Sequence, residues 1–187
     1  MPITTDVADW LIARDGFAFT WKSGGMTIAG GLSEEGGLDN VTEIMTTPLS
    51  CYEIVLWAAR RCGAARATVW NFIDDIFRAA AQNNDLRAAS FPAGLSRYYF
   101  GAAAPARAVG SYPNKGDVVL FSAGGTKYLA HVALATGNEY EVMSFGHDGP
   151  ADAPATGVGL MLKKMTINDI LTTNQALDKV EFGRPVW

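Results

Sequence analysis

Cys51 and His131 are the two side chains of this 187-residue chain best suited to chemistry. A cysteine acts as a nucleophile through its thiolate. The start of a helix favours that form, because unpaired backbone N–H groups and the helix dipole put partial positive charge there. Cys51 follows Thr47-Pro48-Leu49-Ser50, and Ser50 with Glu53 makes the S-x-x-E pattern of a capping box, which puts Cys51 at the first helical position. The competing role is a small buried core residue, which free cysteine commonly fills. Cys62 lies near the end of the same helix, where the dipole has the wrong sign for a thiolate, and reads as structural. Eleven residues of helix separate the two cysteines by roughly 16 Å, beyond the about 7 Å reach of a disulfide.

His131 sits inside the apolar run Tyr128–Thr136. Alternation along a strand puts His131, Ala133 and Ala135 on one face and Val132 and Leu134 on the other. The small neighbours leave room for a helix end or a substrate. A lone strand histidine is also a common core residue. With only two histidines in the chain, a Cys–His pair has few ways to be built. Ser144 and His147 lie on or just past the next strand, with Asn138 and Asp148 nearby. Asp117, at a strand entry after Gly116, reads as structural. Two histidines without a nearby cysteine pair offer no zinc site, and no phosphate-binding or dinucleotide-binding glycine motif occurs, so no cofactor is expected.

The elements that must position these residues are legible in outline. Asp15–Trp21 alternates as a short strand, and 23–40 holds three glycine pairs and reads as loop. A helix from Cys51 to about Cys62 stops at Gly63. A second helix over Val69–Ala81 shows an apolar stripe through Val69, Phe72, Ile73, Ile76, Phe77 and Ala80. Its Asp74-Asp75 pair reads as a solvated face, while Trp57, Trp70 and Tyr98-Tyr99 read as core or cleft wall. A Gly-, Ala- and Pro-rich connection over Ala88–Lys115 leads to strands at Asp117–Ser122, Tyr128–Thr136 and Tyr140–Phe145. The tail adds a strand at Val158–Leu162, a short helix capped by Thr166 and a last strand near Val180–Phe182. Helices first and an antiparallel meander afterwards is an α+β arrangement. Residues 1–45 read as an N-terminal extension or lobe and 46–187 as the main domain.

The run Lys115-Gly116-Asp117-Val118-Val119-Leu120-Phe121, followed by His131-Val132-Ala133-Leu134-Ala135-Thr136-Gly137-Asn138, resembles the Gly-Asp strand and His-Val strand of NlpC/P60 and CHAP-type peptidases. The order of helix-initiating cysteine, second helix and histidine strand is similar too. The resemblance spans about residues 45–146. It implies a papain-like fold of the NlpC/P60 type, with helices packed on an antiparallel sheet and 46–187 as a catalytic domain. It puts the nucleophile on Cys51 and the general base on His131. It also implies a third polar residue on the following strand to orient the imidazole, for which Ser144 and His147 are the candidates and Asn138 and Asp148 weaker ones. Such cell-wall enzymes commonly read Asp-Cys-Ser-Gly, where this chain has Ser50-Cys51-Tyr52-Glu53. The backbone N–H of Cys51 would help hold an oxyanion.

Fifteen basic against nineteen acidic residues give a net charge of -4, which supports no basic surface for nucleic acid. No stretch approaches the about 20 apolar residues of a membrane span. Met1–Trp10 lacks the basic and apolar regions of a secretory signal. The expectation is a cytoplasmic protein, or one exported without such a signal. The expected activity is a cysteine-dependent amide hydrolase acting on peptide, peptidoglycan or protein, in the manner of a bacterial effector or toxin with an immunity partner. A glutamine deamidase, transglutaminase or acyltransferase is an alternative on the same dyad, and a non-catalytic binding domain is the rival from another class.

Overall fold

The computed structural model describes residues 3–20, 51–65, 67–69, 111–122, 129–146, 158–173, 175, 177–185 and 187. Helix α1 (Ile3–Ile12) is followed by strand β1 (Phe17–Thr20) and helix α2 (Cys51–Arg61). Then come β2 (Val118–Ser122), β3 (Leu129–Ala135), β4 (Glu141–Gly146), β5 (Val158–Thr166), helix α3 (Ile167–Thr173) and β6 (Lys179–Gly183). The strands form one antiparallel sheet in the order β1-β5-β4-β3-β2-β6. Strands β2 to β5 are the expected meander, and the architecture is α+β. Residues 67–69 are helical. The remainder of the helix expected over 69–81, with Trp70 and Asp74-Asp75, lies outside the described residues, as do the glycine-paired stretch 23–40 and Tyr98-Tyr99.

Both faces of the central strands are buried, with separate cores. Val118, Leu120, Val132, Leu134, Met143 and Leu162 face α1 and α2, meeting Val7, Ala8, Leu11 and the run Ile54–Ala59. Val119, Phe121, Ala133, Ala135 and Val142 face the other way, against Ile167 and Ile170 of α3 and the tail residues Leu177, Val180 and Phe182. This double burial explains why β2 and β3 read as nearly continuous apolar runs instead of clean alternation.

Helix α2 starts and stops on local signals. Gly63 takes φ 100 just past its end. The Ala64 N–H donates to the Ala59 carbonyl (2.9 Å) and the Gly63 N–H to the Arg60 carbonyl (3.2 Å), the paired bonds of a Schellman cap. Helix α3 starts with the expected Thr166 cap. The Asp169 N–H donates to Thr166 Oγ1 at 3.0 Å, and the Thr166 N–H donates back to Asp169 Oδ2 at 2.9 Å. These Thr166 hydrogen bonds hold the Asp169 carboxyl below its usual range. Strand β5 runs four residues beyond the expected end at Leu162, because Lys163 to Thr166 continue the ladder with β4 after the pairing with β1 has ended.

Residues 3–20, expected to belong to a separate N-terminal extension, are part of the main body. Thr4, Val7, Ala8 and Leu11 form the buried stripe of α1, at helical spacing. Strand β1 pairs with β5 in the register Phe17↔Leu162. Truncating a leucine as buried as Leu11 costs about 2–5 kcal/mol, whereas an exposed ion pair such as Lys115–Asp9 contributes about 0–1 kcal/mol. Apolar burial therefore fixes α1, and charge only adjusts it.

Gly116 is where α1 meets the entry to β2. It has φ +86, and a Cβ there would lie 2.7 Å from the Thr4 carbonyl carbon. Its N–H donates to the Ala135 carbonyl at 3.0 Å, tying the turn to β3. Only a residue without a side chain satisfies both the left-handed backbone and the contact. Gly116→Ala is expected to destabilise the fold by about 2 kcal/mol or more, combining backbone strain with displacement of α1. A urea titration checks this; an unchanged midpoint would show that α1 does not depend on the close approach.

Candidate functional site

Cys51 is the first residue of α2, as its position before an apolar helical run predicts. Ser50 lies outside the described residues, so the capping box is seen only from Glu53, which is buried in the first turn. Cys51 is half-buried at the start of the helix, ahead of the buried run 53–59. It packs on the core shared with α1, and α2 lies against β3.

His131 is the third residue of β3 and is likewise half-buried, with Val132 to Thr136 buried after it. Its Nε2 lies 2.5 Å from Ser144 Oγ. Ser144 is buried on β4, on the face of Val142, where alternation predicts it. The pairs Leu134↔Met143 and Ala135↔Val142 set the register that carries Ser144 to His131 as a diagonal neighbour. The Ser144 hydroxyl therefore meets the ring at Nε2.

Among the described residues, Ser144 is the candidate brought to the imidazole. His147 and Asp148 lie outside the described residues. Asn138 is excluded: it sits in the β3–β4 turn, where its N–H donates to Thr136 Oγ1 (3.3 Å) and its carbonyl accepts from the Glu141 N–H (2.8 Å). His131 to Ala135 alone spans about 13 Å of strand, which puts that turn at the far end of β3. Asp117 has a structural role, accepting from the Asn114 N–H at 2.8 Å to close the turn into β2. Trp57 is core and meets Trp10 edge-on at 4.7 Å between ring centroids. Among the described residues, no group of three His, Cys, Asp or Glu could hold a metal ion. No helix among them is long and apolar enough to cross a membrane.

The two layers differ from one sequence expectation. The face of His131, Ala133 and Ala135 was expected to leave room for a helix end or a substrate; the end of α2 is not what fills it, since α2 packs on Val132 and Leu134. His131 pairs across the ladder with Phe121, and Phe121 belongs to the opposite core. The larger residues Val132 and Leu134 offer α2 more apolar area than two alanines do, so they take the helix. Cys51 thus packs on the core of one sheet face, while His131 stands beside Phe121 of the other. Sequence reasoning passed over Phe121 as a strand residue. Its ring centroid lies 5.7 Å from that of His131, and only the strand register reveals this.

Cys62 is the internal control for any thiol chemistry. Burial pushes its thiol up, and the nearby Asp6 charge adds to the shift, against a smaller opposing effect of Arg14. A raised thiol keeps its proton in the folded state where the unfolded chain has lost it. Its contribution to stability is therefore present below the ordinary thiol range and lost as pH rises through the folded value. In a Cys51→Ser variant, alkylation of Cys62 should titrate above the free-thiol range, and alkaline destabilisation should be weaker in Cys62→Ser. Alkylation at the free-thiol midpoint would contradict the desolvated environment.

Comparison of the chain with family models, with curated proteins and with solved structures finds no match.

Proposed function

We propose that this protein is a cysteine-dependent hydrolase of amide bonds, papain-like and of the NlpC/P60 kind, with Cys51 as nucleophile and His131 as general base. The observation that carries the reading is the pairing of His131 Nε2 with the buried Ser144, on the strand against which the Cys51 helix packs. Cys51 and His131 are each half-buried, next to buried stretches at 53–59 and 132–136. The His-Val strand and Gly-Asp strand resemblance agrees with this assignment.

In the proposed reaction, His131 Nδ1 takes the Cys51 thiol proton and the thiolate attacks the substrate carbonyl carbon. The oxyanion accepts a hydrogen bond from the Cys51 backbone N–H at the positive end of the α2 dipole. Collapse breaks the C–N bond, and the imidazolium returns its proton to the leaving amine. Water then hydrolyses the thioester, giving the carboxylic acid and regenerating the thiol. Ser144 holds the ring through Nε2 as Nδ1 changes protonation. If ammonia leaves from a glutamine amide, the same steps give deamidation. If an amine replaces water, they give transfer.

One observation favours a second reading. The layer assignment puts Cys51 over Val132 and Leu134 and His131 beside Phe121. In a non-catalytic binding domain, both would simply complete their own cores.

Alkylation separates the two readings. Iodoacetamide should label Cys51 faster than Cys62 at neutral pH. His131→Ala should slow Cys51 labelling about tenfold or more, the effect of raising a thiol by one pKa unit. Equal labelling of the two cysteines, or no effect of His131→Ala, sinks the dyad. Mass analysis after incubation with peptidoglycan fragments and with a glutamine-bearing protein then distinguishes fragment cleavage, amide-to-acid conversion and crosslinking.

A further inference from the structure

The backbone ladder holds His131 less firmly than it holds the residues after it. Phe121↔His131 is the last regular pair between β2 and β3, and the next pair is Ser122↔Leu129. Ala130 is therefore the extra residue of a bulge immediately before His131. A bulge leaves one residue unpaired in the ladder and increases local twist. Regular pairing thus constrains His131 only from the Val132 side, and the plane of its ring must be set by side-chain packing.

Phe121 supplies that packing. It stands directly opposite His131, its ring centroid is 5.7 Å away, and the rings are inclined at 45°. That separation lies within the about 4.5–7 Å range of favourable aromatic pairs. Phe121 is itself fully buried, so close packing in the second core leaves its ring little freedom to yield. Ser144 meets the imidazole from β4 while Phe121 meets it from β2. The two contacts differ in kind: the hydroxyl fixes which nitrogen is engaged, and the ring fixes the plane.

We infer that Phe121 is a positioning residue for His131. It holds the imidazole in the one orientation that keeps Nε2 on Ser144 and presents Nδ1 as the base. The catalytic meaning of this hold rests on the Cys51–His131 reading, but the hold itself is measurable without a substrate.

The test compares Phe121→Leu with Phe182→Leu, a like truncation in the same core on β6, which is separated from His131 by β2. Nitrogen NMR of the histidine rings, assigned with His147→Gln, reads tautomer and hydrogen bonding at Nε2. Phe121→Leu is expected to shift the His131 ring-nitrogen signals towards a mixture of tautomers and to slow Cys51 alkylation about tenfold, as misplacement of a reacting group does. Phe182→Leu should leave both unchanged. Phe121→Met, which keeps side-chain bulk without a ring, replaces Phe121→Leu if the latter does not fold. Ring signals unchanged in the Phe121 variants, or altered equally in Phe182→Leu, would overturn the inference. If His131→Ala leaves Cys51 alkylation unchanged while Phe121→Leu alters the ring signals, the dyad fails and the positioning role stands.

Discussion

Burial on both faces of β2 and β3 is the constraint on which the rest of the described structure depends. A strand with one wet face can tolerate a slip in register more easily than one enclosed on both sides. Here a shift by one residue would exchange Val132 and Leu134 with His131, Ala133 and Ala135, and both cores would lose their fit. The larger residues draw α1 and α2 to one side, and α3 with the tail closes the other. The same register that satisfies packing also brings Ser144 and Phe121 to His131. The candidate site is therefore a by-product of how the core is solved, not an addition to it.

The entry to β2 shows how tightly local and tertiary demands coincide. Asp117 closes its turn by accepting from Asn114, and Gly116 takes a left-handed conformation while α1 lies against it. The Gly-Asp pair thus has a physical task in this chain whatever its resemblance to other proteins. Lys115 pairs with Asp9, and Arg184 donates to Thr4 Oγ1 at 3.0 Å, so both sides of the turn and the chain after β6 converge on α1. These polar contacts set direction on a helix that apolar burial already holds.

The electrostatic contrast between the two cysteines follows from their positions on one helix. At the start of α2 the helix dipole favours a negative sulfur; at its end the dipole opposes it, and burial, with the Asp6 charge adding to it, raises the Cys62 thiol further. The imidazole has a comparable asymmetry. Its Nε2 is committed to a buried hydroxyl, and a buried hydroxyl without a partner would carry a desolvation cost of about 1–3 kcal/mol.

The sequence by itself determined the elements that rest on short-range rules. Cys51 at a helix start, Gly63 at its stop, Thr166 as a cap and the strand runs of β2, β3 and β4 all follow from capping chemistry and apolar patterning, which act over a few residues. The family resemblance named Ser144 and His147, with Asn138 and Asp148 behind them, as candidate partners of His131, and local alternation put Ser144 on the strand face opposite Met143. Helix α1 was missed: its stripe of Thr4, Val7, Ala8 and Leu11 is modest, and only the core it enters marks it as buried. Tertiary structure alone decided that β1 is an edge strand on β5, that α2 covers the Val132 and Leu134 face, that Asn138 lies far from His131, and that Phe121 stands against the imidazole. Each of these depends on which distant segments pair and which face wins more buried area. Such choices are made by the whole core at once, and no local spacing records them.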